Sequence, residues 1–227
     1  MRVTIFPWVG KEFIEVSGEA KAQLPGDAAV RELLGRFAAE LKAHGLSLDD
    51  AVRTRLWARD RESRDFGSAE RLKILTGKAR SSSSSFIASG HFDSEANVAM
   101  DLWAMRPGST AAQKTVQEYE PPRSPLRYMV YESMVFLSGV TSDAATLRGQ
   151  LNSILPDVGQ SLSDAGSSWR KAVRVSNFLK RGQSLDDLQT GLATALGSDL
   201  PKEMEYSFVD GYAGPASLVE IEVTAVV

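Results

Sequence analysis

The chain has no cysteine, only two histidines and no long apolar run. Without cysteine there are no disulfides and no thiol chemistry, a composition compatible with a reducing compartment. His44 and His91 alone are a poor basis for a zinc or non-haem iron site, so no metal and no cofactor is predicted. No apolar run reaches the roughly 18 residues needed to cross a bilayer, and the N-terminus lacks signal-peptide features. These absences predict a cytoplasmic protein with no membrane partner.

The charge balance argues against another class of partner. A formal net charge of −3 disfavours a general nucleic-acid binder. Five arginines cluster in the first half of the chain and offer a phosphate grip as an alternative: Arg53, Arg55, Arg59, Arg61 and Arg64. The cluster has no interleaved aromatic residue beyond Trp57, so these arginines are predicted to pair with local acids.

The chain contains two copies of one pattern, 121 residues apart. The run 218–223 (LVEIEV) repeats the run 97–102 (NVAMDL). The same offset relates Ser138-Gly139 to Ser17-Gly18, Gly166 to Gly45 and Val173 to Val52. A repeat of this length predicts tandem domains, because solenoid repeats are much shorter. The predicted domains are residues 1–106 and residues 126–227, joined by a linker, residues 107–125, rich in Pro, Gly, Ser and Thr.

Apolar periodicity predicts the same element order in both copies, β-β-α-β-α-β-β. In copy one the predicted elements are strands 3–8 and 13–17, a helix from an N-cap at Asp27 to Gly45, strand 52–59, helix 66–75, and strands 84–89 and 97–105. In copy two they are a hairpin 128–138, helix 143–165 with Pro156 expected to kink or interrupt it, strand 172–180, helix 185–196, and strands 205–210 and 218–226.

The predicted fold class is α+β, with two helices covering one face of each sheet. The opposite face mixes apolar and polar residues, among them Arg174 and Phe178, and is expected to be exposed and to drive association into an oligomer. The serine run 81–85 is typical of a solvated loop, with anion binding as the alternative. His91 falls in a predicted hairpin turn.

Several segments resemble the RidA (YjgF/UK114) family. They are residues 43–54 (AHGLSLDDAVRT), 164–179 with the strand VRVSNFL, 136–139 (FLSG) and 218–223 (LVEIEV). Together they cover both copies almost end to end. The resemblance implies two tandem chorismate-mutase-like domains that assemble as a homotrimer with ligand clefts between domains. It also implies hydrolysis of a small reactive imine or enamine, or binding of a related carboxylate, without a metal.

The resemblance further implies a pair of site residues. Arg80, in the tripeptide Ala-Arg-Ser, matches the family arginine that grips the substrate carboxylate. Glu220 matches the glutamate that positions the attacking water. The pair is split between the copies, since Ala99 replaces the glutamate in copy one and Glu205 replaces the arginine in copy two. One composite site is therefore predicted if copies of different type adjoin.

Asn177 is the third predicted site residue. It faces the same side of its strand as two valines, so a buried amide there must be hydrogen-bonded, either structurally or to a ligand. Two other functions remain open at this stage. One is a catalytically degenerate module for ligand binding or assembly, and the weaker one is an endoribonuclease or translation inhibitor.

Overall fold

A computed structural model describes residues 1–109, 112–121, 124–201 and 203–227. The chain forms two compact units, Met1–Lys114 and Thr115–Val227, called here unit 1 and unit 2. Their boundary falls inside the predicted linker 107–125, of which residues 110–111 and 122–123 lie outside the described residues. None of the helices in the described residues is long and apolar enough to span a membrane.

Unit 1 is a five-stranded sheet with two helices. Its elements are β1 (Arg2–Trp8), β2 (Lys11–Glu19), α1 (Gly26–Ala43), β3 (Ala51–Ala58), α2 (Arg61–Ile74), β4 (Ser82–Ile87) and β5 (Val98–Met105). The strand order is β1-β2-β5-β3-β4. Only the β3–β4 pair is parallel, and α2 makes the crossover between those two strands.

Unit 2 repeats this plan with one more strand. Its elements are β6 (Lys114–Gln117), β7 (Tyr128–Tyr131), β8 (Met134–Leu137), α3 (Leu147–Asp164), β9 (Ala172–Lys180), α4 (Leu185–Leu196), β10 (Met204–Val209) and β11 (Val219–Val226). Read from its edge, the sheet order is β6-β7-β8-β11-β9-β10. Apart from β6, which forms in the predicted linker, this is the strand order of unit 1, so the chain is a tandem of two units with one topology.

The 121-residue offset holds in three dimensions. It relates α1 to α3 and β5 to β11 end for end. It also relates the parallel strand pairs, because Ser84 lies opposite Arg55 and Glu205 lies opposite Ser176. Both long helices end at a glycine in the left-handed region, Gly45 with φ 73° and Gly166 with φ 77°, which a residue with a Cβ adopts only with strain. The predicted C-terminal glycine of the first helix is confirmed.

Each unit has a hydrophobic core between its helices and one face of its sheet. In unit 1, Leu33, Leu34 and Phe37 of α1 are at most 1% exposed and pack against the sheet. In unit 2, Ile154 and Val158 of α3 have the same role. Apolar residues at three- and four-residue spacing on α1 and α3 therefore produce the one-sided helix layer that the sequence predicts.

The opposite face of each sheet, called here the open face, differs from the prediction. In unit 2 it was expected to be exposed, but Phe178 is 2% exposed and Glu222 is 5% exposed. In unit 1 the β3 residues on this face, Arg53, Arg55 and Trp57, are also buried. The exposure that motivated association through these faces is therefore not found at these residues.

Three local predictions are wrong. Asp27 is not the N-cap of α1, because the cap position is Pro25 and the Asp27 carboxylate instead pairs with Arg31 at 2.7 Å. The serine run is not a solvated loop, since the run 81–85 is 1–5% exposed and mostly within β4. Of the kink or interruption predicted at Pro156, the interruption is wrong, because α3 continues through this exposed residue.

Candidate active site on the open face of unit 1

Asp101 lies at the middle of the open face of unit 1. Strand β5 runs between β2 and β3, and Asp101 is opposite Ser17 on the first and Arg55 on the second. Its side chain is 12% exposed. A carboxylate this deeply placed needs fixed donors, because burial of an unsolvated charge is costly.

Two donors from β3 hold the Asp101 carboxylate. The Arg53 guanidinium donates from Nη2 to Oδ1 at 3.1 Å, and the Trp57 indole donates from Nε1 to Oδ2 at 3.1 Å. Arg53 is itself oriented by the Trp103 ring, whose centroid lies 3.8 Å from the guanidinium carbon. The carboxylate is thus fixed in direction by one charged and one neutral donor, which leaves lone pairs for a third hydrogen bond.

His91 covers the Trp57 ring. The two ring centroids are 4.2 Å apart and the planes are within 14° of parallel. Burial lowers the pKa of His91, and the negative charges of Asp101, Glu19 and Asp93 oppose this without reversing it. The imidazole is consequently neutral at physiological pH. One of its ring nitrogens can donate a hydrogen bond and the other can accept one.

Glu19 anchors the loop that carries His91. Its carboxylate accepts hydrogen bonds from the backbone N–H of Asp93 at 2.7 Å and of Ser94 at 3.1 Å, and from the Ser94 hydroxyl. Burial alone raises the pKa of Glu19, but these hydrogen bonds outweigh it and the pKa is lowered. An ionised Glu19 on β2 therefore fixes the 91–94 loop over the sheet.

A cavity of about 730 Å³ opens in front of these groups. Its volume is in the range of small-molecule sites. Its lining includes Trp57, His91, four acidic side chains and a single basic side chain, Arg2. The acids are Glu15, Glu19, Asp93 and Asp101. This balance favours a ligand that carries positive charge at its reacting centre.

Unit 2 has different groups at the same places. The offset puts Glu222 at the position of Asp101, Phe178 at that of Trp57 and Tyr212 at that of His91. The Phe178 side chain has no N–H to donate, and the Tyr212 hydroxyl donates to the Phe178 backbone carbonyl at 2.6 Å. Burial and, to a smaller extent, the charge of Glu220 raise the pKa of Tyr212. The donor arrangement that holds Asp101 is therefore not repeated.

The predicted site residues of unit 2 lie on β9 and β11. Glu220 is 7% exposed and faces Phe178 across the strand pair. Asn177 is 1% exposed, its Nδ2 donates to the Glu205 carbonyl at 3.1 Å, and its Oδ1 accepts no hydrogen bond from the described residues. The Asn177 amide thus links β9 to β10.

Glu205, which stands in place of the family arginine, has partners of its own. Its carboxylate accepts from Arg174 Nη2 at 3.1 Å and from the Ser176 hydroxyl at 2.5 Å.

Arg80 lies in unit 1, two residues before β4. It caps the short 3₁₀ turn Gly77–Ala79, and its N–H donates to the Gly77 carbonyl at 3.2 Å. The strand register makes Ser84 the equivalent of Glu205, so Arg80 stands four residues before the place of the family arginine. Arg80 and Glu220 belong to different units, and their joint role stays a prediction.

Sequence reasoning missed His91 as a site residue and passed over Trp57 and Asp101. A signal existed for Trp57, because strand alternation puts it on the same face of β3 as Arg53. Nothing in the sequence marks the turn that places His91 on the Trp57 ring. Among the described residues, no group of three or more Asp, Glu or His side chains is arranged to hold a metal ion.

Comparisons with known proteins place the fold. No protein-family model matches the chain, and no curated protein matches it. A chorismatase structure matches 97% of this chain and 78% of its own at 16% identity, with a TM-score of 0.64. A YjgF/YER057c/UK114 family member from Mycobacterium tuberculosis covers 51% of this chain and all of its own at 22% identity, with a TM-score of 0.46.

A Rid-family protein of unknown function from Yersinia pestis covers 50% of this chain and 99% of its own, at 19% identity and a TM-score of 0.44. The chain has the tandem YjgF-type α+β fold that its motifs predict. At these identities the likeness concerns the fold alone.

Proposed function

We propose that the chain hydrolyses a small reactive imine or enamine at the open face of unit 1. The observation that carries this is the Asp101 carboxylate, fixed by Arg53 and Trp57 at the wall of an acidic cavity. Imine hydrolysis needs a base that orients water toward an electrophilic carbon, and it needs no metal.

The steps use groups that are already in place. A water hydrogen-bonded to Asp101 attacks the iminium carbon, and Asp101 takes the proton as the C–O bond forms. Protonated Asp101 then returns this proton to the carbinolamine nitrogen. Ammonia leaves as the C=O bond forms, and Asp101 takes the hydroxyl proton. Acidic lining stabilises the protonated imine, and a neutral His91 adds no positive charge to oppose it. Arg2 is the basic side chain available to pair with a substrate carboxylate.

A catalytically silent unit 2 is the second part of the proposal. Arg174 and Ser176 already clasp the Glu205 carboxylate, so unit 2 fills with its own side chain the place where the family arginine would hold a ligand. This favours a structural or binding role for unit 2. The composite pair of Arg80 and Glu220, the cytoplasmic location and the homotrimer remain proposals that rest on the resemblance.

The test is ammonia release from enzymatically generated imino acids. We expect Asp101→Asn to lower the rate about 100-fold or more, since general bases contribute 10²–10⁴-fold. Glu222→Gln is the matched control, because it makes the same kind of change at the equivalent position of unit 2. It is expected to keep the rate within about twofold, a change under about 0.4 kcal/mol in the barrier.

Other outcomes assign the function differently. Activity lost in Arg80→Ala and Glu220→Ala but kept in Asp101→Asn would replace the Asp101 site with the composite one. No ammonia from the wild type above buffer would overturn the imine reading for the substrates tried. Chorismate is included because a chorismatase shares the fold, and its turnover without ammonia release would redirect the proposal.

A solution mass of one chain by light scattering would contradict the trimer.

A further inference from the structure

The helix pair of unit 1 is closed by two glycines. A Cβ built on Gly26, at the start of α1, would lie 2.4 Å from the Ser63 carbonyl oxygen of α2. A Cβ on Gly67 of α2 would lie 3.4 Å from the Gly26 carbonyl oxygen and 3.2 Å from a Val30 methyl. The two helices therefore meet backbone to backbone where Gly26 faces Ser63, and the cavity beside this contact is about 430 Å³.

Unit 2 has leucines at both positions. The 121-residue offset puts Leu147 in place of Gly26 and Leu188 in place of Gly67, and both leucines are buried. Because a leucine side chain needs space that glycine does not, α3 and α4 cannot approach as closely as α1 and α2. A cavity of about 770 Å³ lies between them, with Leu147, Leu151, Leu218 and Gly191 in its lining.

The polar groups of this cavity are balanced in charge. Arg148, from the first turn of α3, and Asp187, from the first turn of α4, are the charged side chains in its lining. The remaining polar lining is uncharged and comes from threonine, asparagine and glutamine side chains. A volume of this size, apolar residues in the lining and a few polar groups are properties of small-molecule sites.

We infer that the cleft between α3 and α4 binds a small zwitterion with an apolar side chain, such as a free aliphatic or aromatic amino acid. Arg148 pairs with the ligand carboxylate, Asp187 pairs with its ammonium group, and the leucines receive its side chain. The corresponding cavity of unit 1 offers no such pair of charges, because Asp27, Asp60 and Glu62 line it and no basic side chain does. The site is separate from the proposed hydrolytic site and does not depend on it.

The test is isothermal titration of the full chain with L-phenylalanine and L-leucine. We expect saturable binding at one ligand per chain. Glycine lacks the apolar side chain, and 3-phenylpropionate and 2-phenylethylamine each lack one charge, so these three are expected to bind about 10-fold more weakly or not at all. Arg148→Gln and Asp187→Asn are expected to weaken L-phenylalanine binding about 10-fold each, which corresponds to about 1.4 kcal/mol.

Two variants block the cleft in different ways. A Cβ at Gly191 would lie 2.5 Å from Leu151 Cδ1, so Gly191→Leu fills the cleft, and Ala195→Trp fills it from an exposed position of α4. Both are expected to abolish binding, with thermal unfolding reporting whether each variant folds. Thr141→Trp, at an exposed residue outside the cleft lining, is the control expected to bind normally.

Three results would overturn the inference. The first is no saturable heat with either amino acid up to 10 mM. A Kd of 10 mM corresponds to a binding free energy of about 2.7 kcal/mol. The second is binding that Ala195→Trp and both charge variants leave unchanged. The third is a concentration-dependent dimer of the wild type that Ala195→Trp abolishes, which would show that a second copy covers the cleft. Ammonia release is not measured, so this result stands apart from the proposed function.

Discussion

The two units place an arginine at the same position of the same strand, yet each arginine grips a carboxylate on a different neighbour. Arg53 reaches Asp101 on β5, whereas its equivalent Arg174 reaches Glu205 on β10. In both cases the carboxylate is opposite the next open-face residue along, Arg55 or Ser176. The same topology thus allows two different ion pairs. In unit 1 the arginine binds the carboxylate on β5, and in unit 2 it binds the carboxylate on β10.

The consequence for each unit follows from where the carboxylate lies. Asp101 lies at the wall of a cavity. Its side chain is 12% exposed, and the side chain of its partner Arg53 is 6% exposed. Glu205 is 39% exposed, and Arg174 and Ser176 each donate to one of its oxygens. The Asp101 carboxylate of unit 1 is therefore buried and fixed in direction, whereas the Glu205 carboxylate of unit 2 links β10 to β9. Four predictions test this contrast and the packing behind it.

The largest expected effect is the loss of Asp101. We expect Asp101→Ala to lower the free energy of unfolding of unit 1 by about 3–5 kcal/mol, because it removes the carboxylate from a guanidinium whose side chain is only 6% exposed. Urea unfolding followed by tryptophan fluorescence measures this, since Trp8, Trp57 and Trp103 all lie in unit 1.

The double variant Arg53→Met with Asp101→Ala is the control for that prediction. It removes both charges, so it is expected to recover part of the loss. A loss below about 1 kcal/mol in Asp101→Ala would be the value of an exposed pair. That result would contradict the burial of this site and remove the contrast with Glu205.

Helix packing gives the second effect. Gly26→Ala is expected to destabilise the chain by about 2 kcal/mol, because its Cβ would lie 2.4 Å from a backbone oxygen that cannot swing away. Gly35→Ala in the same helix is the matched control. A Cβ there meets nothing within 4 Å, so this variant is expected to stabilise by about 0.5–1 kcal/mol.

Opposite signs for one chemical change in one helix would confirm that α1 and α2 touch at Gly26. Equal signs in thermal unfolding would contradict the close contact. They would also weaken the comparison with the leucine-lined cleft of unit 2, because that comparison needs the glycine contact in unit 1.

The third effect is the smaller cost of losing Glu205. We expect Glu205→Ala to destabilise by about 1 kcal/mol, because a carboxylate that is partly exposed gains little from its ion pair. The cost is expected to shrink between 0.05 and 0.5 M salt, since exposed pairs are screened over about 10 Å at 0.1 M. A loss as large as that of Asp101→Ala, or one independent of salt, would show that the two carboxylates are equally buried.

Much of the fold was predictable from the sequence because it rests on local periodicity. Strand β9 and helix α4 have the bounds that their apolar spacing predicts, and the strand β11 differs by one residue. Helix α2 begins at Arg61, five residues before the predicted start, because its first turn is polar and is signalled only by the cap Asp60, which accepts from the Ser63 N–H at 2.8 Å. Periodicity carries no information about such a turn.

The candidate site was less predictable because its groups meet through tertiary contacts. Alternation places Asp101 on a sheet face, but the register between β3 and β5 decides that Trp57 reaches it. A serine run is typical of a solvated loop, but Ser82 to Ser85 are buried within β4, because tertiary packing and not composition decides their place. The 121-residue offset is the one sequence feature that relates the site positions of the two units correctly.

The smallest effect is a pH response carried by His91. Burial lowers its pKa in the folded chain, so the unfolded state binds more protons as the pH falls through about 6.5. Stability is therefore expected to be full above this pH, to fall as the pH drops toward the lower folded pKa, and then to stop changing on this account. Tyr212 occupies the equivalent position of unit 2. Burial raises its pKa, so this side chain does not change its protonation between pH 5 and pH 8.

Thermal unfolding at intervals from pH 8 to pH 5 measures the response as the difference between the wild type and His91→Gln. His44→Gln is the control for losing a histidine elsewhere, and it is expected to leave the His91 difference in place. A His91→Gln chain that loses stability with falling pH as steeply as the wild type would show that the imidazole is not buried against Trp57. The proposed neutral His91 beside Asp101 would then fail with it, because both depend on the same stacked position.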